Sequence, residues 1–206
     1  MHEFRDLGTL TKVAAAALLI YMVTRIAMLA TIYWADSVAA PQEMGAALGI
    51  AAIASGLFLL MLVVCLVIVG RWIYRASANA HALSDEMTIS PGWAVGWYFV
   101  PVMNLFKPYQ AMREIWLASH FRGNWHGEPR PGVVGLWWGL WIVVNIIDNV
   151  STRLDHLDAD RQLASGAFVF DCVAGLLNVA LCLVLISLMR QVARAQSTAP
   201  YEEAFA

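Results

Sequence analysis

The chain has 206 residues, of which 60% are hydrophobic and 14% charged, where an ordinary soluble domain carries about 25% charged residues. Its 13 Lys and Arg against 15 Asp and Glu leave a net charge of -2, which excludes a strongly basic nucleic-acid binder and an acidic disordered tail. The apolar residues come in long runs, the pattern of a polytopic membrane protein.

A membrane-spanning helix needs about 20 mainly apolar residues, because each adds about 1.5 Å across a hydrocarbon core about 30 Å thick. Four stretches meet this requirement: 13–34, 45–73, 133–150 and 167–189. They are continuous and lack the alternating dyad of a membrane barrel, so they are read as helices. The first follows a short amino-terminal segment, 1–12, and reads as a retained span and not a cleaved leader. Its apolar length exceeds the typical leader core of about 7–15 residues, and Arg25 interrupts it. The second carries Gly45, Gly49, Ala52 and Gly56 on one side, a small-residue face that allows close helix approach.

Residues 74–132 are too polar for another ordinary span and too aromatic for a free loop. The segment from Ser90 to Pro101 contains no charge and is too short to cross. Trp93 and Trp97 stand four apart and share a helical face; Pro91 suits a first turn and Pro101 ends the helix. The pattern predicts short interfacial helices at about 91–100 and 108–120. Tyr109, Met112, Trp116 and Leu117 would make the apolar face of the second, with Arg113 and Glu114 turned to water. Together they read either as a shallow re-entrant hairpin at the cytoplasmic face or as an amphipathic connector. Ser90 reads as a helix cap.

Several of these residues form a recognisable pattern. Arg71-Trp72-Ile73-Tyr74-Arg75 with Asn79, then Pro91-Gly92-Trp93 and Gly96-Trp97, Pro101, Asn104-Leu105, Pro108-Tyr109 and Trp116 follow in order, with Trp137, Trp138 and Trp141 in the next span. The arrangement resembles a family of bacterial multi-spanning membrane proteins known only as a domain of unknown function. The resemblance covers about residues 70–150 and extends more weakly to the fourth span. It implies a membrane location and a shared architecture, and supplies no activity or catalytic residue.

The third and fourth spans carry polar stripes. Trp138, Trp141, Asn145, Asp148 and Thr152 follow at steps of three and four, as do Asp171, Gly175, Asn178 and Cys182. The two stripes are expected to face each other, because amides and carboxyls avoid lipid. Arg25 and Asp171 are candidates for an intramembrane pair, with snorkelling or simple helix attachment as the alternative. Cys65, Cys172 and Cys182 all fall in apolar runs and read as buried, unreactive thiols. An outer loop, 151–166, carries Asp155, His156, Asp158 and Asp160 and reads as a solvated acidic face; a tail, 190–206, reads as disordered.

Ten of the 13 Lys and Arg flank the first span's start, the 74–132 region with the preceding helix end, and the tail. The positive-inside rule then places both termini and the central loop in the cytoplasm of a bacterial inner membrane. The histidines form no His-Glu-x-x-His pattern, and there is no phosphate-cradling loop or nucleophile elbow, so neither enzyme chemistry, a metal nor a cofactor is expected.

The fold class read from the sequence is therefore all-α: four transmembrane helices plus the cytoplasmic-side hairpin. The leading functional expectation is a non-enzymatic module that binds lipid or a partner protein. Arg71, Arg75, Lys107 and Arg113 would meet anionic groups, while Trp93, Trp97 and Trp116 set depth. Expected partners are the lipid bilayer and a membrane protein or a second copy of the chain, with no nucleic acid. The alternative is a small-solute or ion carrier using a polar cavity lined by Asn145, Asp148, Asp171 and Asn178 between the third and fourth spans.

Overall fold

A computed structural model describes residues 5–38, 40–121, 125, 127–157 and 164–197. Among them are six α-helices and no strand: α1 Gly8–Ser37, α2 Pro41–Leu83, α3 Pro91–Gly96, α4 Lys107–Phe121, α5 Gly132–Leu157 and α6 Ala164–Ser197. Two short 3-10 turns, Trp97–Phe99 and Met103–Leu105, join α3 to α4. Four helices, α1, α2, α5 and α6, are long and apolar enough to cross a membrane. The chain divides into two compact units, Met1–Ala15 with Val67–Gly139 and Leu183–Ala206, and Ala16–Leu66 with Leu140–Cys182.

The first unit has a well-filled interior. Trp72, Leu7, Met112, Ile115, Leu117, Val134, Leu188, Met189 and Val192 are almost wholly buried. The helix α2 does not end where its apolar run ends. At 43 residues it is about 65 Å long, far more than a bilayer core requires, and its last turns are held by packing. Trp72, Ile73, Ala76, Ala78 and Ala80 are all buried there, and the Trp72 Nε1–H donates to Thr11 Oγ1 at 2.9 Å. The expected loop from residue 74 is therefore helical through Leu83. Likewise α6 continues through Ser197, so the expected tail starts later than residue 190. Val192, Ala193 and Gln196 extend the buried stripe of Met189 at steps of three and four.

The second unit is turned the other way. Its helices expose large apolar side chains such as Val23, Ile53, Leu59 and Leu176, a surface that water penalises and acyl chains do not. Its small core includes Ala35, Ala47 and Ala51, with Ile32 and Val38 packed against them. The glycine face expected to receive a helix is open instead: a methyl group at Gly45, Gly49 or Gly56 would meet nothing. The helix α2 uses the neighbouring face, through Ala47 and Ala51.

The expected outer loop is shorter than 151–166, because α5 reaches Leu157 and α6 begins at Ala164. Asp158, Asp160 and Arg161, like Arg122, His126 and residues 198–206, lie outside the described residues.

Candidate functional site

The short-helix hairpin of the first unit is built from α3, the two 3-10 turns and α4. Pro91 opens α3 with a fixed backbone that suits a first turn. Ser90 occupies the cap position in an extended conformation, but its hydroxyl makes no cap bond. The expected helix over 91–100 is α-helical only to Gly96 and tightens into a 3-10 turn before Pro101. Trp93 and Trp97 pair as expected, their ring centroids 4.5 Å apart. The Lys107 ammonium lies 6.0 Å over the Trp97 ring, within reach of a cation–π attraction, and donates to Gln110 Oε1 at 3.1 Å.

At the apex, the Met103 amide donates to the Pro101 carbonyl at 2.8 Å, which closes a three-residue turn centred on Val102. Val102 has φ 66 and ψ -48, the strained γ-turn region that a β-branched side chain rarely enters. Its cost is of the order of 1–3 kcal/mol. This turn projects Phe99, Val102, Met103, Leu105 and Phe106 outward, with Phe99 74% and Val102 67% exposed. No charged residue occurs between Thr88 and Phe106. Burial pushes the phenol of Tyr98 well above its ordinary range, so it too stays neutral.

Two attachments fix the apex. The Trp138 Nε1–H, one of the tryptophans in α5, donates to the Leu105 carbonyl at 3.1 Å. Behind the turn, Glu114 accepts from the Thr88 hydroxyl and from the amides of Thr88 and Ile89. Glu114 was expected to face water; it instead ties α4 to the segment leading into α3. Arg113 is also not simply solvated, since its Nε is enclosed and has no acceptor, as is the Trp116 Nε1. On the end of α2, Arg71 is exposed and Arg75 half-buried.

A buried amide network, absent from the sequence reading, holds the first unit's helices together. Gln196 is fully buried. Its Nε2 donates to the Ala76 carbonyl at 3.0 Å and to Ser119 Oγ at 2.9 Å, and its Oε1 accepts from Asn79 Nδ2 at 2.9 Å. Asn79 also exchanges hydrogen bonds with the Arg5 backbone. The step of three from Ala193 to Gln196 was the available signal.

In the second unit, Arg25 meets Asp148 and not Asp171. Arg25 Nη2 is 2.7 Å from Asp148 Oδ1, and its Nε is enclosed without a partner. Asp171 accepts instead from the hydroxyls of Tyr33 and Ser151, both at 2.6 Å. Neither hydroxyl was singled out in the sequence, although both lie in or beside apolar runs where a polar group needs a partner.

The two stripes therefore do not simply face each other. Asn145 is exposed and donates to Trp141 of its own helix, and Thr152 donates to the carbonyl of Asp148. Asn178 is buried, with the Cys182 thiol 3.9 Å away. The thiols of Cys65 and Cys182 are buried as expected, whereas Cys172 is exposed on its helix. Among the described residues no group of three or more His, Cys, Asp or Glu is placed to hold a metal.

Among curated proteins and solved structures, nothing matches the chain. A family model described as Domain of unknown function (DUF4328) does match, over residues 35–194, and the chain belongs to that family.

Proposed function

We propose that the protein is a non-enzymatic module of a bacterial inner membrane, and that its hairpin engages the lipid bilayer from the cytoplasmic side. The observation that carries this reading is the Trp138–Leu105 hydrogen bond. Helix α5 begins at Gly132, and Trp138 lies six residues further on, about 9 Å along the helix axis. The uncharged, outward-pointing apex is thereby tied to a level inside the start of a span. Phe99, Val102, Met103 and Phe106 then meet acyl chains. Trp93 and Trp97 sit at headgroup level, and Lys107, Arg71 and Arg75 face anionic lipid.

The cytoplasmic placement of both termini rests on the distribution of Lys and Arg. The carrier reading draws no support from the second unit, where Arg25, Asp148 and Asp171 are engaged with protein groups.

The test uses a cysteine-free background, Cys65→Ala, Cys172→Ala and Cys182→Ala, with single cysteines introduced for a membrane-impermeant maleimide. Met103→Cys is expected to stay protected in native membranes, while Glu128→Cys reacts from the cytoplasmic side and Glu43→Cys from the opposite side. Rapid labelling of Met103→Cys would show a water-exposed apex and favour a docking surface for a protein partner or a second copy of the chain. Labelling of Glu128→Cys from outside would reverse the topology.

A further inference from the structure

We propose that α5 pairs with the α5 of a second copy of the chain inside the membrane, along a seam of Ile142, Asn145, Asn149 and Thr152. This surface is separate from the hairpin and does not depend on the hairpin's contact with lipid.

The apolar window that makes α5 able to cross a membrane runs from Gly132 to Arg153. Asn145 lies about 20 Å along the axis from its start and about 12 Å from its end. An asparagine is too short to carry its amide to the headgroups from that depth, unlike the long stems of lysine and arginine. Yet Asn145, Asn149 and Thr152 are all exposed on the protein's own surface. Each turns one hydrogen back onto a carbonyl of α5: Asn145 on Trp141, Asn149 on Asn145 and Thr152 on Asp148. Both asparagines keep a second amide hydrogen and a side-chain oxygen that have no partner among the described residues. Hydrocarbon supplies neither donor nor acceptor, so an amide left facing it is costly.

The protein uses the polar stripe of α5 at one edge. Asp148 takes Arg25, whereas Asn145 and Asn149 are turned about 60° and 100° further around the helix. Ile142, Asn145, Asn149 and Thr152 follow at steps of three, four and three, the spacing that keeps one seam toward a neighbouring helix. A second copy is the occupant that fits. Copies inserted with the same topology present every seam residue at the same depth, so a two-fold axis along the membrane normal brings each asparagine to its own counterpart. A primary amide is its own complement, because the spare hydrogen of each can donate to the spare oxygen of the other. Any other membrane protein would have to offer matching groups at two depths.

The experiment uses the full-length chain in the cysteine-free background, with one cysteine introduced for oxidative cross-linking in native membranes. Ile142→Cys, on the seam, is expected to give a disulfide-linked dimer. Val143→Cys, exposed at nearly the same depth but turned away from the seam, is expected to stay monomeric. Purified protein carrying donor and acceptor dyes at Glu128→Cys is then diluted in liposomes, and energy transfer is read against protein density. Asn145→Leu is expected to raise the dissociation constant of the dimer about tenfold, the scale of one interhelical hydrogen bond, and adding Asn149→Leu to raise it further. Each asparagine side chain hydrogen-bonds only within α5 among the described residues, so both variants should keep the unfolding midpoint of the diluted monomer. Should either fail to fold, the two cysteine positions decide with the asparagines intact. Equal cross-linking at 142 and 143, or energy transfer undiminished by the asparagine substitutions, would overturn the seam. A cross-link from Ile142→Cys to a species of different mass, with no energy transfer in the purified protein, would replace the second copy by another membrane protein. Absence of both signals would overturn the interface outright.

Discussion

Arg25 Nη2 lies 2.7 Å from Asp148 Oδ1, which couples α1 to α5 by a charge-assisted hydrogen bond inside apolar spans. The arrangement answers a cost: an isolated arginine at a helix centre is worth about 2.5–3.5 kcal/mol of insertion penalty. Removing either partner leaves the other ionised without a counter-charge. Arg25→Ala or Asp148→Asn should each destabilise the detergent-solubilised protein by about 1.5–3 kcal/mol. The double variant should cost much less than the sum, whereas Arg25→Ala with Asp171→Asn should be additive within about 0.5 kcal/mol. Equilibrium unfolding of these four variants and of Asp171→Asn alone decides between the two partners.

Gln196 bridges α2, α4 and α6 through Asn79, the Ala76 carbonyl and Ser119. Gln196→Ala strands a buried amide donor and should cost about 1–3 kcal/mol. A chain ending at Arg190 should lose more, since it also removes the buried Val192 and Ala193. Thermal unfolding of both variants in one detergent measures the difference.

Val102 gives a prediction in which stability and membrane contact separate. Val102→Gly relieves the positive backbone angle and should raise the unfolding midpoint in detergent, because glycine enters that region without a side-chain clash. The same change removes an apolar side chain from the apex and should make it more accessible to water-soluble reagents. Val102→Ile should do neither. If Val102→Gly lowers the midpoint, the turn is not a source of strain.

The spans were legible because hydrophobic length reports directly on bilayer thickness, and the hairpin because proline and tryptophan punctuate it. The continuations of α2 to Leu83 and α6 to Ser197 were not. Asn79 and Gln196 look like solvent-facing residues until each is seen to satisfy the other. Arg25 had two carboxylates within plausible reach, Asp148 and Asp171, and the rotation of α5 and α6 about their axes, which sequence spacing does not report, decides between them. Glu114 was read as solvated because a carboxylate opposite an apolar helix face normally is. Its true partners are backbone amides 25 and 26 residues earlier, a contact with no local pattern.

The apex of the hairpin is proposed to lie in lipid, and a spin label reports its depth. With a nitroxide at Met103→Cys in the cysteine-free protein reconstituted into vesicles, collisions with oxygen, which partitions into acyl chains, are compared with collisions with a water-soluble nickel chelate. Oxygen is expected to dominate at position 103, with the balance moving toward the chelate at the exposed position of Gln110→Cys. A label at 103 relaxed mainly by the nickel chelate would contradict it.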